Sequence, residues 1–508
     1  MRTVMVVMLV FGVAVSSVEA DLDVTMTVDL GQDLGQNFGT LFSGTEAEGR
    51  LACGAGFAAV YNTYFRSERL KLQFFVRPVK QTAAYTLDPL PRAGSDSGAY
   101  PHGLAGDVYV HSYKPERSYR AWQEEAAEWR SLPAEKWPGR SAATVRGQRL
   151  EVKGDHIVYA GKRILDEAKA GGYRYSYYGQ GHLFFYRKQT TNDGAEIKQI
   201  VAVPWSPYLA DQSVDLAQGV AVNLKMMKEF PYAWGQLGNE VLNCSNWGGL
   251  YAFDGKRWQV RVEADEKTSY QIYSMVSFDD RLLMAQYPSG LLFSYDGKAV
   301  ETLTGWPPVP VGASPRVREA QTTAIYRGEL LVGVWPWAEL WRRDPDAKDW
   351  LFMRRMFTHP TLHAVPVHPY EAEAKAGGLV VNDLGQRLTA MVPFRDALIL
   401  GTSSKGGAAV LEAKGLEFLT PSQRQEYGAM YRLKMPGNLA AMITWRDGPT
   451  KLRFRVQSGR MSIHQDGREL ATTTLDPELV PDLSVAEIQW GKGVFGPCLG
   501  AISGASRR

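Results

Sequence analysis

Residues 237–260 read LGNEVLNCSNWGGLYAFDGKRWQV, and residues 278–301 read FDDRLLMAQYPSGLLFSYDGKAVE. Each stretch has a polar turn, an apolar strand, a turn of aromatic or small residues, a second strand and a D-G turn. YRGELLVGVWPWAELWRRDPDAKDWLF (326–352) and FRDALILGTSSKGGAAVLEAKGL (394–416) follow the same plan, at offsets of 41, 48 and 68 residues along the series. Fainter copies start at Leu104, Val152 and Tyr178. Short strands at regular spacing with turn signals predict an all-β array. A repeat of roughly 40–50 residues built from four strands predicts a β-propeller rather than a sandwich. Five blades are visible, and six or seven is the expected number.

The plan also predicts which residues share a rim. Strands a to d run outward from the centre. The b–c turns and d-to-a connections open on the upper rim, and the a–b turns open on the lower one. GNE, DDR, RGE and RDA are then a–b turns. The turns at 245–249, 287–290, 335–339 and 403–407 are b–c turns, which place Trp247, Tyr287, Trp335, Trp337 and Lys405 on the upper rim. The same register puts His111, Tyr113, Tyr186 and Arg187 there, and it puts His156 and His182 at the starts of b strands, on the other side.

Outside the propeller, predicted for residues 101–427, the pattern changes. Residues 428–508 read as alternating strands with D-G and S-G turns, a β-sandwich-like, concanavalin-like region. Residues 21–100 are strand-rich and either close the ring or pair with that region. Trp122, Ala126 and Trp129 within 118–132 fall at helical spacing and predict a short inserted helix. At the start, Arg2, the apolar run 4–15 and VEA ending at Ala20 predict a signal peptide over residues 1–20 and a secreted or periplasmic protein. The apolar run is too short to anchor in a bilayer. A net charge of +3 with acids and bases interspersed gives no case for nucleic-acid or membrane partners. Three cysteines are too few for a disulfide scaffold; export permits a Cys53–Cys498 bridge.

Three of the eight histidines lie in THPTLHAVPVHPYEA (358–372). The extra length before the fourth repeat makes this a d-to-a connection over the upper rim. His359, His363 and His368 read either as ligands of a divalent metal, with Glu371 or Glu373 beside them, or as a proline-stiffened surface loop. Pro360, Pro366 and Pro369 forbid the helix on which H-x3-H spacing forms a zinc site.

Trp247, Trp335, Trp337, Tyr113 and Lys405 are candidates for substrate binding, and rings sharing one rim suit stacking on sugar faces. His111, Tyr186, Arg187, Tyr287 and His363 are candidates for catalysis. A cation that neutralises a uronate carboxylate acidifies the adjacent C–H, and a Tyr or His can take that proton and return one to the leaving oxygen. No paired carboxylates of the kind that hydrolysis prefers stand out on this rim.

With SNWGGLYAFDG, YPSGLLFSYDG, the export signal and the His/Tyr/Arg set, residues 100–425 resemble the exported β-propellers of polysaccharide breakdown. Among these, the chain is most similar to the seven-bladed polysaccharide lyases that act on ulvan. The resemblance implies His, Tyr and Arg acting at the top of the propeller, although His102, His111, His156 and His182 do not reproduce that family's spacing. Kelch and galactose-oxidase propellers are also similar, but their regular double glycine and Cys–Tyr copper pair are missing here. The expected function is β-elimination on an extracellular, uronate-containing polysaccharide. A non-catalytic glycan- or protein-binding propeller is the alternative, and a glycoside hydrolase the third reading.

Overall fold

The computed structural model describes residues 22–507 except 32–34, 63–67, 78–83, 95–97, 113–116, 138, 140–141, 167, 169–170, 209–212, 268–269, 348, 365–367, 377, 379–383, 405–417 and 476–484. The protein is all-β and β-propeller-like, with 56% of the chain in strands and 4% in helix. Among the described residues, no helix is long and apolar enough to cross a membrane.

Among the described residues, antiparallel sheets of the repeat type follow one another along the chain and are numbered here I to VII. Sheet I comprises Tyr100–Leu104, Asp107–Ser112, Ser118–Gln123 and Glu128–Ser131. Sheet II comprises Ala143–Val145, Gln148–Val152, Ile157–Tyr159 and Lys162–Leu165. Sheet III comprises Gly171–Gly179, His182–Thr190, Glu196–Pro204 and Val220–Asn223. Sheets IV, V and VI begin with Pro231–Leu237, Ile272–Phe278 and Glu319–Tyr326.

In sheets IV to VII the a–b turns are two residues long and fall where the repeat puts them, at 238–239, 279–280, 327–328 and 395–396. The tightness is chemical. Gly238, Asp279, Arg327 and Arg395 all sit at positive φ, the conformation that lets a two-residue turn follow the twist of its strands. First strands are buried and last strands half-solvated: every residue of Glu319–Tyr326 is buried, whereas Trp350–Arg355 is exposed or intermediate. Neighbouring first strands pack together from sheet IV through V, VI and VII, and on to sheet I.

Sheet VII is made from both ends of the chain. Gln386–Phe394, Ala397–Ser404 and Met430–Lys434 supply three strands. Thr86–Leu90 supplies the outer one, with Leu87 opposite Leu433. The propeller-like body thus runs to Lys434 rather than stopping at 427.

The remaining strands form two five-stranded sheets. One orders Arg468–Thr474, Arg460–Gln465, Thr450–Gln457, Leu22–Asp29 and Ala501–Arg507. The other orders Asn438–Met442, Lys71–Val76, Leu51–Phe57, Gly39–Thr45 and Glu487–Trp490. They share a core of Leu22, Val24, Met26, Phe42, Phe74, Leu452 and Phe454. Leu22–Asp29 alternates buried and half-buried residues along its whole length, as expected of a strand with one face in a core.

This two-sheet body sits on the a–b turns. The Ala105 amide donates to Glu68 (2.8 Å), the Ala440 amide to the Arg395 carbonyl (2.6 Å) and the Asp279 amide to the Val494 carbonyl (3.2 Å). From it, Tyr61–Asn62 reaches the inner side of sheet IV and pairs with Ala233 and Trp234.

Three expectations are corrected. Residues 118–132 form a hairpin rather than a helix, with Trp122 and Trp129 directly opposite each other and their rings 4.9 Å apart. Their helix-like spacing is what a four-residue turn between paired strands also produces. His156 lies in the b–c turn of sheet II, not at the start of a b strand, because VKGD forms the b–c turn and not the a–b turn. Cys53, Cys244 and Cys498 are free thiols.

The closing strand is held by apolar contact as well as by its ladder: Leu433 is fully buried, and Leu87 packs against the same cluster. Leu433→Ala is expected to destabilise the protein by about 2–5 kcal/mol. A lower urea midpoint than wild type, with loss of protease resistance near Thr86–Leu90, is the measurement that checks it.

Candidate functional site

On the rim opposite the two-sheet body, a cavity of about 330 Å³ opens where sheets I, II and III meet. Sheet I contributes His111 and Ser112 from the end of its b strand, with Arg117 and Tyr119 across the b–c turn and Trp137 from the connection to sheet II. Sheet II contributes Val152 and Gly154. Sheet III contributes Tyr173, Arg174 and Tyr175.

Three consecutive residues of one strand do not normally line one cavity, because side chains alternate between faces. Here the register of the first two strands of sheet III shifts between Arg174 and Tyr177, and Tyr175 sits at φ +55°. That left-handed residue belongs to a β-bulge, a device that re-aims side chains. The Tyr175 ring stacks on Phe230 at 5.4 Å, which holds the bulge against the next sheet. The Tyr173 amide donates to the Gly154 carbonyl (2.7 Å) and ties the walls from sheets II and III together.

The wall from sheet I is built around a histidine pair. His102 Nε2 and His111 Nδ1 are 2.7 Å apart, and both rings are buried. His111 stacks on Tyr100 (5.2 Å) and packs near Trp137 (5.3 Å). Trp137 in turn stacks on Tyr119 at 4.9 Å and meets His102 edge-on at 5.2 Å. His111 Nδ1 is thus engaged with His102, and its Nε2 is buried.

Arg117 and Arg174 give the cavity two cations, and among the described residues that line it none is a carboxylate. Tyr173 faces Arg187 across the ladder. Burial raises its hydroxyl above the ordinary phenol range, partly offset by that guanidinium, so it stays protonated at neutral pH. The arrangement can hold an anion against two guanidiniums, cover it with ring faces, and move a proton at His111 Nε2 or the Tyr173 hydroxyl.

Of the described residues singled out in the sequence, His111 alone lines this cavity. Arg187 stands behind Tyr173 and binds Gln199 Oε1 at 2.5 Å. Tyr186 is buried in mid-strand opposite Arg174, and burial pushes its hydroxyl up to about 12. Tyr287 lies at the b–c turn of sheet V, where burial also raises its hydroxyl. Trp247 is half-buried, its indole donating to the Met227 carbonyl (3.0 Å). Tyr113 and Lys405 fall outside the described residues.

Trp335 and Trp337 are 0% and 2% exposed, which withdraws them as sugar-stacking surfaces. Trp335 packs against Gly385, where a Cβ would come within 2.4 Å of the indole nitrogen. His368, Arg355 and His363 surround Trp337 at 4.7, 5.1 and 6.0 Å.

The histidine stretch over 358–372 is a latch rather than a metal loop. His359 Nδ1 bonds the Tyr370 hydroxyl (2.6 Å) and its Nε2 the Gln423 carbonyl (3.1 Å), so neither nitrogen is left for a cation. The Thr358 amide and hydroxyl both bind Glu426, clasping the stretch to the helix Pro421–Glu426. Among the described residues, no group of three or more His, Cys, Asp or Glu side chains could hold a metal ion. His363 packs edge-on against Trp337 at 6.0 Å.

Sequence reading missed His102, Arg117, Tyr119, Trp137 and the run Tyr173–Arg174–Tyr175. The aromatic alternation of YRYSYY at 173–178 was the available signal.

No family model matches the chain, and no curated protein matches its sequence. Among solved structures it is similar, at 10% identity and a TM-score of 0.26, to YCF48 bound to D1 peptide, covering 70% of this chain and 97% of that one. It is also similar to the soluble aldose sugar dehydrogenase of Escherichia coli, at 11% identity and a TM-score of 0.28, covering 70% and 99%. A third is a puromycin-hydrolyzing peptidase of Mycobacterium tuberculosis, at 13% and 0.31, covering 75% of this chain and 61% of that one. The architecture described above rests on strand pairing.

Burial lowers the His368 imidazole to about 3, against an unfolded value near 6.5. The folded state holds it neutral while the unfolded state takes a proton, so stability falls with pH below about 6.5. At pH 5 this amounts to about 2 kcal/mol relative to pH 7.5. His368→Gln, compared with itself at the two pH values, is expected to lose that much less than wild type in urea unfolding.

Proposed function

We propose that the chain is an exported seven-bladed β-propeller, capped by a β-sandwich, that cleaves a uronate-containing polysaccharide by β-elimination in the cavity between sheets I, II and III. The observation that carries this is the lining itself: two guanidiniums, a histidine, tyrosines and a stacked Trp–Tyr wall. Arg117 and Arg174 pair with the uronate carboxylate and so acidify the C–H beside it. His111 Nε2 takes that proton. The electron pair left behind forms a C=C bond to the neighbouring carbon, the glycosidic C–O bond there breaks, and the Tyr173 hydroxyl gives the departing oxygen its proton.

A second reading, glycan binding without cleavage, is favoured by the Tyr119–Trp137 stack, which would hold a sugar with no chemistry at all. Hydrolysis would call for paired carboxylates, and the described lining holds none.

The test is to incubate the protein with a panel of uronate polysaccharides and follow the ultraviolet absorbance of the unsaturated product. A rise on one substrate is expected. His111→Ala should lower it by about 10²–10⁴-fold and Arg174→Ala by about 10²-fold, while His363→Ala leaves it unchanged. A flat trace throughout, with the protein retained on an immobilised polysaccharide, sinks the lyase in favour of the binding reading.

A further inference from the structure

We propose that Trp247, with Met227 and Lys228 beside it, forms an outlying subsite on the upper rim. It holds a further uronate unit of the same polysaccharide chain whose reacting unit lies in the cavity. The inference rests on the anionic-sugar reading of the cavity and extends it to the connection between sheets III and IV.

The tryptophans at the b–c turns of this rim have two fates. Trp335 and Trp337 are buried under the connection that folds over sheet VI. Trp247 holds the equivalent place in sheet IV and stays half-buried, with part of its ring in solvent. Its polar groups are spent on holding that ring still. The indole nitrogen donates to the Met227 carbonyl (3.0 Å), the Trp247 amide to Ser245 Oγ (3.4 Å), and the Trp247 carbonyl accepts from the Asp265 amide (3.2 Å). A ring fixed in this way loses little freedom when a ligand settles on it. Met227 next to it is 74% exposed. An exposed apolar side chain beside an accessible ring, with polar Asn246 and Lys228 at its margin, is the pattern of a binding surface, and an indole with its polar end tethered suits the face of a sugar.

The surface is continuous with the cavity. The Phe230 amide donates to Asn246 Oδ1 (2.8 Å), and the Asn246 amide donates back to the Phe230 carbonyl (3.1 Å). The turn that carries Trp247 is therefore tied to Phe230, whose ring stacks on Tyr175 of the cavity wall at 5.4 Å. A sugar chain that leaves the cavity on the side of sheet III runs along this row of contacts. The charge fits as well. Lys225 is paired with Glu263 (3.3 Å), while Lys228 is exposed and its carbonyl is bonded by Asn246 Nδ2 (3.2 Å), which sets its ammonium within reach of whatever lies on the ring. Asp265, on the next connection, turns its carboxylate to the Lys267 amide (2.8 Å). Every unit of a polyuronate carries a carboxylate, so a unit stacked on Trp247 brings one to Lys228.

The experiment is calorimetric titration with a galacturonate trisaccharide and hexasaccharide on the full chain carrying His111→Ala, so that the sugars are bound and not consumed. Adding Trp247→Ala should lower the ratio of hexasaccharide to trisaccharide affinity by about two- to tenfold and leave the trisaccharide affinity unchanged. Trp247→Tyr, which keeps a ring face, should keep most of the ratio. Lys228→Gln should flatten the salt dependence of hexasaccharide binding. A ratio unchanged by Trp247→Ala overturns the inference while the uronate reading stands. So does an equal loss for both lengths, which marks a structural role for the ring. Absence of binding by both oligomers, to this variant and to wild type alike, defeats the uronate reading and the inference with it.

Discussion

Everything in this molecule depends on strands near its two ends finding each other. Thr86–Leu90 completes sheet VII beside Met430–Lys434, and Leu22–Asp29 lies between Thr450–Gln457 and Ala501–Arg507. The first pairing joins neighbours in a ring of sheets; the second builds the body that seats against one rim of that ring. The two are linked through the chain: 435–437 leads from sheet VII straight into Asn438–Met442 of the two-sheet body. The bare edges such sheets would otherwise present are the usual route to wrong association, and the shared closure removes several at once.

The two-sheet body is seated on the tight a–b turns. The opposite rim has the longer b–c turns and connections, and there two different uses of surface appear. Between sheets VI and VII the long connection is bound into the structure, with His359 bonded to Tyr370 and Gln423 and the neighbouring Trp335 and Trp337 of sheet VI buried. Between sheets I, II and III the strands of sheet II are short, and a cavity lies beside the bulge at Arg174–Tyr177.

This division explains what could be read in advance. In sheets IV to VII each a–b turn needs a residue that tolerates positive φ, and the strands either side are nearly all apolar, so Gly238, Asp279, Arg327 and Arg395 marked the register plainly. Sheet II, with strands of three to five residues, carries too little pattern, and His156 was placed one turn out. Of the cavity, His111 was legible because it ends a b strand. Arg174 and Tyr175 were not, since strict alternation sends neighbours to opposite faces and a bulge leaves no spacing signature. Trp335 and Trp337 failed for the converse reason: a rim position in the repeat says nothing about the loop that later folds over it.

The closure has a consequence in time. During synthesis, Thr86–Leu90 leaves the ribosome long before Met430–Lys434 exists to receive it. At about 5–20 residues per second the interval is roughly 20 to 70 s, and Leu22–Asp29 waits longer still for its neighbours on both sides. Through that interval the early strands are unpaired and apolar on one face, while sheets I to VI can form from local hairpins. The protein therefore spends its first minute as a nearly complete ring with loose ends. Whatever factor accompanies the chain through that minute is, in effect, a temporary substitute for residues 430–507.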